Sequence, residues 1–485
     1  MKRHNRFTPR VSRKGFAAIY LVFAFLMLIP VVGLAIDFSI LYNIKGRLQA
    51  ACDAAAIAGG NLMQRSVSVT DSATIAAIQA TAQRYFNANF QAGQWGTRQA
   101  SYSATPTEDV NTKIRTIVVT ASETVPALFL RVLGITGSTV GSTATVKVRY
   151  TTMMIAVDRS GSVGRGGSAG PIEDALTTFV ANQATSYLVD GRDVVGMVSF
   201  GGTYSMDLSP TMYFRSGSPG MTSVISTLDG EFGNSATNTA EALYQSYHQL
   251  QLLNNVGALN VIVLLTDGRP SAFTVTTSLS CHSGSNTGFI SAIVASDASW
   301  PPPTNYGGYQ GGSQIYPFGW GKVVFNDTNG WGGGDLYPVT PNSGCSYPSD
   351  PETVNSDMPN FPTQDSHGNN TQTGYYPLSD RSVSNPQDVR YASFNTADNM
   401  ATTIRTDTVI RPVLFVIGLN EPASAGEPLD ADWLARVAND PDYLDGNGHH
   451  VYQNGQTKGM YFNVTASGLQ AAFHSIASQC MRLSQ

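Results

Sequence analysis

Asp158, Ser160 and Ser162 stand in MMIAVDRSGSVGRGGSAG, residues 153–170, as D-x-S-x-S, a ladder of hard oxygen donors suited to a divalent cation. The same stretch carries two rival chemistries. Gly164, Gly166 and Ala169 fit the G-x-G-x-x-G/A turn that cradles a dinucleotide, and Gly166-Gly167-Ser168-Ala169-Gly170 fits the nucleophile elbow G-x-S-x-G. Two more oxygen donors sit further along, Thr237 in NSATNTAEAL and Asp267 in VLLTDGRP. Which chemistry applies depends on the elements that position these residues.

From residue 150 the chain alternates strands with helices. MMIAV, VVGMVSF, NVIVLLT and VLFVIGL are near-continuous apolar runs, the pattern of parallel strands buried on both faces, and helical segments are predicted over 171–189, 237–253, 396–406 and 466–482. This pattern predicts a doubly wound, Rossmann-like α/β sheet, in which ligands bind beyond the carboxyl ends of the strands. A dinucleotide turn must leave the first strand directly, but Asp158 holds that point, and its carboxylate repels a pyrophosphate. The elbow fails too: Ser168 lies ten residues past the strand end rather than on the strand-to-helix turn, although His449 and His450 could be drafted as a base.

The oxygen ladder is in the right place. Asp158 ends the first strand, Thr237 starts a helix and Asp267 ends another buried strand, so all can face one crevice. Taken alone, each has a plain structural explanation: an Asx turn, a helix N-cap and a tight turn. Together they give a set of two carboxylates and three hydroxyls, which suits an ion that keeps several waters; Mg²⁺ fits best, with Mn²⁺ or Ca²⁺ as alternatives.

The N-terminus supplies an address. Lys2, Arg3, Arg6, Arg10, Arg13 and Lys14, in a basic segment 1–14, precede Gly15–Ile36, 22 residues without a charge and long enough to span a bilayer. Basic residues on that side predict a cytoplasmic N-terminus and an extracytoplasmic head, periplasmic if the anchor sits in a bacterial inner membrane. The helical pattern continues through Ile40, Ile44, Leu48 and Ala51, with Gly59-Gly60 as the expected stop near residue 60. Residues 61–149 read as a small α+β spacer, with a helix around Ser72 to Asn89 and β-rich runs TIVVTASETV and ATVKVRY, and show no chemical cluster. With 485 residues, a net charge of −5 and no long basic run beyond the N-terminus, the chain is expected to fold as two or three units and not to have nucleic acid as a partner.

Two resemblances follow from these residues. Asp37, Leu41-Tyr42, Arg47-Leu48-Gln49-Ala50-Ala51 and Asp53-Ala54-Ala55 resemble the N-termini of TadG-like proteins of Flp/Tad pilus assembly; related pilin-like members carry a Glu five residues after a Gly, where this chain has Tyr20 after Gly15. Asp158, Ser160, Ser162, Thr237 and Asp267 resemble the metal-ion-dependent adhesion site of the von Willebrand factor A domain, spanning 150–485 here. Together the resemblances imply a non-enzymatic, single-pass pilus-assembly component that binds a protein partner, whose acidic side chain completes the ion's shell.

Between about 271 and 395 the chain departs from the bare domain with an insert rich in aromatics and Gly: Trp300-Pro-Pro-Pro, Phe318-Gly-Trp320-Gly and Trp331-Gly-Gly-Gly. Such composition also lines sugar-binding clefts, so the alternative is an enzyme or glycan-binding adhesin whose activity lies in the insert. Cys281 and Cys345 suggest a disulfide outside the cytoplasm, whereas Cys52 and Cys480 read as free. Asp440, Asp442, Asp445, Asn447 and His449-His450 miss calcium-loop spacing and read as a solvated loop.

Overall fold

Small and apolar residues dominate Lys14–Arg65, and the chain forms one 52-residue helix, α1, over that range in the computed structural model. The structure describes residues 14–93, 96–182, 186–202, 204–228, 236–267, 269–280, 287–295, 325–326, 363–378, 386–421 and 429–484. They divide into two units: residues up to 64 with 68–108 and 115–148, and the remainder to 485.

In the first unit α1 is joined by α2 (Ser72–Asn89), whose N-cap Asp71 accepts from the Thr74 N–H at 2.7 Å. Strands β1 (Ser101–Glu108), β2 (Arg115–Pro126) and β3 (Gly137–Val148) form an antiparallel sheet in that order. Alternation along β2 turns Ile117, Val119, Ala121 and Val125 inward, where they meet Ile44, Leu48, Ala51 and Ala55 of α1 and Ile78, Ala82 and Phe86 of α2. The outer half of α1 is therefore part of the α+β unit's own core. Gly59-Gly60 does not stop the helix. A Cβ on Gly59 would lie 2.4 Å from Ile117 Cδ1 and one on Gly60 2.7 Å from Val146 Cγ1, so these glycines let helix and sheet close on each other.

The second unit holds β4 (Thr151–Asp158), β5 (Val194–Phe200), β6 (Tyr204–Thr211) and β7 (Leu259–Thr266), then β8 (Ala272–Ser280), β9 (Thr287–Ala295) and β10 (Phe325–Asn326), then β11 (Val413–Leu419) and β12 (Met460–Val464). Among the described residues the main sheet has the order β12-β11-β7-β4-β5-β6, parallel except for β6, while β8, β9 and β10 pair separately as an antiparallel ribbon. Every residue of β4, β5, β7 and β11 is buried, which is why those runs carry no polar alternation.

Helices cover both faces. They are α3 (Gly161–Gly166), α4 (Ala169–Leu176), α5 (Met221–Leu228), α6 (Thr239–Leu253), α7 (Pro386–Thr406), α8 (Ala431–Ala438) and α9 (Leu469–Ser484). Met153, Ile155 and Val157 of β4 pack with Ile172, Leu176, Val224, Phe473 and Ile476 on the face of α4, α5 and α9. Met154 and Ala156 pack with Leu243, Phe394, Ala401 and Trp433 on the face of α6, α7 and α8. At about 1.5–3 kcal/mol per fully buried large apolar side chain, these two layers hold the sheet without help from any ligand.

The helix predicted over 171–189 is α4 followed by a wider turn at Thr177–Ala181, where the Asn182 N–H reaches back to the Thr177 carbonyl. The helix predicted from 396 begins at Pro386, and its residues Phe394 and Ala397 belong to the sheet's core, so the insert ends before it. Cys281 and Cys345 lie outside the described residues. Cys52 and Cys480 are buried and free.

Candidate metal centre

β4 and β7 run side by side in parallel, with Val157 opposite Leu265, so their carboxyl ends deliver Asp158, Thr266 and Asp267 to one place. Past Asp158 the backbone stays extended at Ser160, the N-cap of α3, and this carries Ser162 back over the strand end. The Ser160 N–H donates to Asp158 Oδ1 at 2.8 Å and the Thr266 hydroxyl to Asp158 Oδ2 at 2.5 Å. The Ser160 and Ser162 hydroxyls lie 3.1 Å apart, and Ser162 Oγ donates to Asp267 Oδ1 at 3.0 Å. Four of the five expected ligand residues are thus joined in one hydrogen-bonded set.

Thr237 has no hydrogen bond to that set in the structure; its backbone is held instead to Ser271 and Ala272. Its carbonyl accepts from the N–H groups of Ser271 and Ala272, at 2.9 and 3.1 Å, and its N–H donates to Ser271 Oγ at 3.0 Å, which ties the start of α6 to the segment following Asp267. Thr266 was not among the expected ligands; it stands behind Asp158 and orients that carboxylate.

The electrostatics fit a cation. Burial raises the Asp158 carboxyl to about 6, against hydrogen bonds from Thr266 and Ser160 that favour the charged form. Asp267 rises well above the usual carboxylate range through burial and then the charges of Asp158 and Glu421, with Ser162 opposing. Asp267 Oδ2 is buried and has no hydrogen-bond partner. A buried carboxylate oxygen left unpaired costs free energy unless something positive meets it, and a divalent ion does so. Asp158, Ser160, Ser162, Thr237 and Asp267 are the residues that would hold it. Among the described residues no three His, Cys, Asp or Glu side chains form a metal cluster, so the centre rests on two carboxylates and hydroxyls.

Glu421 escaped the sequence reading. It follows β11, the strand next to β7, and its carboxyl sits against Gly166, where a Cβ would lie 2.3 Å from it. Burial raises its pKa, with a hydrogen bond from Ser168 opposing, and its Oε1 is buried without a partner. The available signal was position: IGLNEP leaves the carboxyl end of the fourth apolar strand, where loops in such sheets reach the ligand crevice. Gly166 therefore makes room for a carboxylate, while Gly164 is one residue of the short helix α3. Ser168 is buried and bonded to Glu421.

The acidic loop near residue 445 is tied up by its own backbone. Asp440 accepts from the N–H groups of Asp442 and Tyr461, and Asp445 from those of Asn447 and His449, while His449 and His450 are exposed.

Residues 153–269, which carry β4, β5, β7 and the oxygen set at their carboxyl edge, match the von Willebrand factor type A domain family. The N-terminal segment, residues 15–62, matches the Flp pilus-assembly TadE/G-like family. Among solved structures, the chain is similar to the PilB minor pilin from Streptococcus sanguinis, at 14% identity and TM-score 0.32 over 81% of this chain and 80% of that one. It is similar to the von Willebrand domain of the type V pili tip protein Mfa5 from Porphyromonas gingivalis, at 14% identity and TM-score 0.34 over 70% and 97%. The pilus adhesin SpaC from Lactobacillus rhamnosus GG gives 13% identity and TM-score 0.34 over 81% of this chain and 35% of that one. No curated protein matches the chain.

Proposed function

We propose that this protein is a single-pass, extracytoplasmic component of Flp/Tad pilus assembly in a bacterial inner membrane, and that it captures a protein partner through a divalent ion held at Asp158, Ser160, Ser162, Thr237 and Asp267. The observation that carries the reading is the unpaired, buried Oδ2 of Asp267 inside the hydrogen-bonded set that ends β4 and β7. Its role is binding rather than catalysis. An ion held by only two carboxylates keeps exchangeable waters, and an acidic side chain on the partner displaces one. Mg²⁺ suits a small set of hard donors of this kind, with Mn²⁺ a ready substitute.

In-cell crosslinking and pull-down test it. Wild-type chain is expected to retain a partner that EDTA releases and added Mg²⁺ restores. Asp158→Ala is expected to capture none, and His449→Ala, in the exposed loop, to capture as wild type. Capture that survives both chelation and Asp158→Ala overturns the reading.

The anchor and its orientation have their own check. The apolar run within α1, mean hydropathy 2.7, is long enough to cross a bilayer, and the basic residues precede it. Protease added to spheroplasts is expected to digest the head, and a protected head reverses the orientation.

A further inference from the structure

We infer that the loop between β2 and β3, residues 127–135, is a second membrane contact: an apolar foot that enters the edge of the bilayer beside the span. The inference rests on α1 being a membrane anchor.

Two contacts fix the loop's level. Asp37, the first charged residue after the apolar run, is buried, and its Oδ1 accepts the Leu128 N–H at 3.0 Å while its Oδ2 accepts those of Phe129 and Leu130 at 3.0 and 2.8 Å. One turn earlier, Gly33 lies inside the run, and Phe129 packs on it so closely that a Cβ on Gly33 would lie 2.6 Å from Phe129 Cβ. The loop is thereby held level with residues 33–37, a rise of about 6 Å at the outer end of the span.

At that level the loop presents Leu128, Phe129, Val132 and Ile135 to the outside, with Val132 88% exposed. So many large apolar side chains in one short loop are costly in water. They are continuous with the lipid-facing surface of α1, where Leu34, Ile36 and Phe38 are also exposed. The polar boundary coincides on both elements. Arg131, exposed on the loop, can reach headgroups from its apolar stem, and Tyr42 is exposed on α1 about 8 Å beyond Asp37. Asp37 has a defined task in this arrangement: it satisfies three backbone N–H groups that would otherwise meet hydrocarbon, where unpaired donors are costly.

The test uses the full chain, purified in detergent and reconstituted into phosphatidylcholine vesicles. Val132→Trp is compared with Val110→Trp, a 79%-exposed position in the turn that precedes β2, whereas Val132 follows it. After subtraction of the wild-type spectrum, the Val132→Trp emission is expected to be blue-shifted and quenched several-fold more by lipids brominated near the glycerol than that of Val110→Trp. Equal quenching at the two positions overturns the foot. So does a blue-shifted but unquenched Val132→Trp, which would place a protein surface or a second copy over the loop. Alkaline carbonate extraction of the same vesicles separates the two readings: a chain that washes off refutes the anchor, whereas one that stays while Val132→Trp is unquenched refutes the foot alone.

Discussion

Asp267→Ala is expected to weaken Mg²⁺ binding at the proposed centre by at least the roughly 10–100-fold typical of an outer-shell change. It is also expected to leave the metal-free protein as stable as wild type, or more stable, at neutral pH. Both effects have one cause. Asp158 and Asp267 are buried together at the end of the sheet, and each holds its proton to higher pH than it would in the unfolded chain. For a carboxyl raised in this way, the folded state carries more protons than the unfolded state once pH exceeds the ordinary value, so stability falls as pH rises. For Asp158 the fall runs from its usual 3.8 to about 6, beyond which the full penalty is in place. A shift of that size is worth on the order of 3 kcal/mol.

A divalent ion offsets the penalty by RT ln(1 + [L]/Kd), about 2.7 kcal/mol at 100 times Kd. Wild-type protein in EDTA should therefore melt at lower temperature at pH 7.5 than at pH 5 and Mg²⁺ should restore it, whereas Asp267→Ala should abolish the Mg²⁺ response and reduce the pH response to the part that the burial of Asp158 causes by itself. Isothermal titration gives the affinity and thermal scans across pH give the linkage. An Asp267→Ala protein that binds Mg²⁺ as wild type does, or that loses stability equally at every pH, refutes the ion centre.

His367→Ala is expected to cost about 3–5 kcal/mol, the range for removing one partner of a buried ion pair. Glu241 lies in the first turn of α6, buried, with Oε1 accepting from Gln245 at 2.7 Å and Oε2 2.7 Å from His367 Nε2. The His367 ring also stacks on Tyr244, with centroids 3.5 Å apart and planes 9° from parallel. Burial alone would raise Glu241, but the hydrogen bond and charge of His367 lower it. Burial alone would lower His367, but Glu241 and then Asp365 raise it above its usual 6.5.

A histidine raised in the fold contributes stability that is complete below its unfolded value and lost as pH rises through its folded value. Denaturant unfolding should accordingly show a larger loss for His367→Ala at pH 6 than at pH 9. Adding Glu241→Gln to His367→Ala should recover most of it, because no charge is then left alone. A cost under about 1 kcal/mol at pH 6 would fall in the range of an exposed pair and would remove this contact as the clasp between loop 363–378 and α6.

That clasp marks the divide between what the chain spelled out and what folding had to assemble. The sheet was legible because burial on both faces imposes a local rule, and VVGMVSF or NVIVLLT obeys it within seven residues. The oxygen set was legible because Asp158, Ser160 and Ser162 share one turn, and because in such a sheet strand ends are where ligands go. Other features left no local trace. Gly59-Gly60 has the local signature of a helix stop, yet in the fold Ile117 and Val146 lie against the pair, and the role of Asp37 requires the backbone of residues 128–130 alongside it. Glu421 is a lone carboxylate in sequence. Its charge comes to bear on Asp267 because the crossovers place β11 beside β7, and His367 meets Glu241 because residues 363–378 lie against α6. Periodicity records which face of an element is buried. It carries no information about which distant element will lie against that face, and here strand order and close backbone approach decided it.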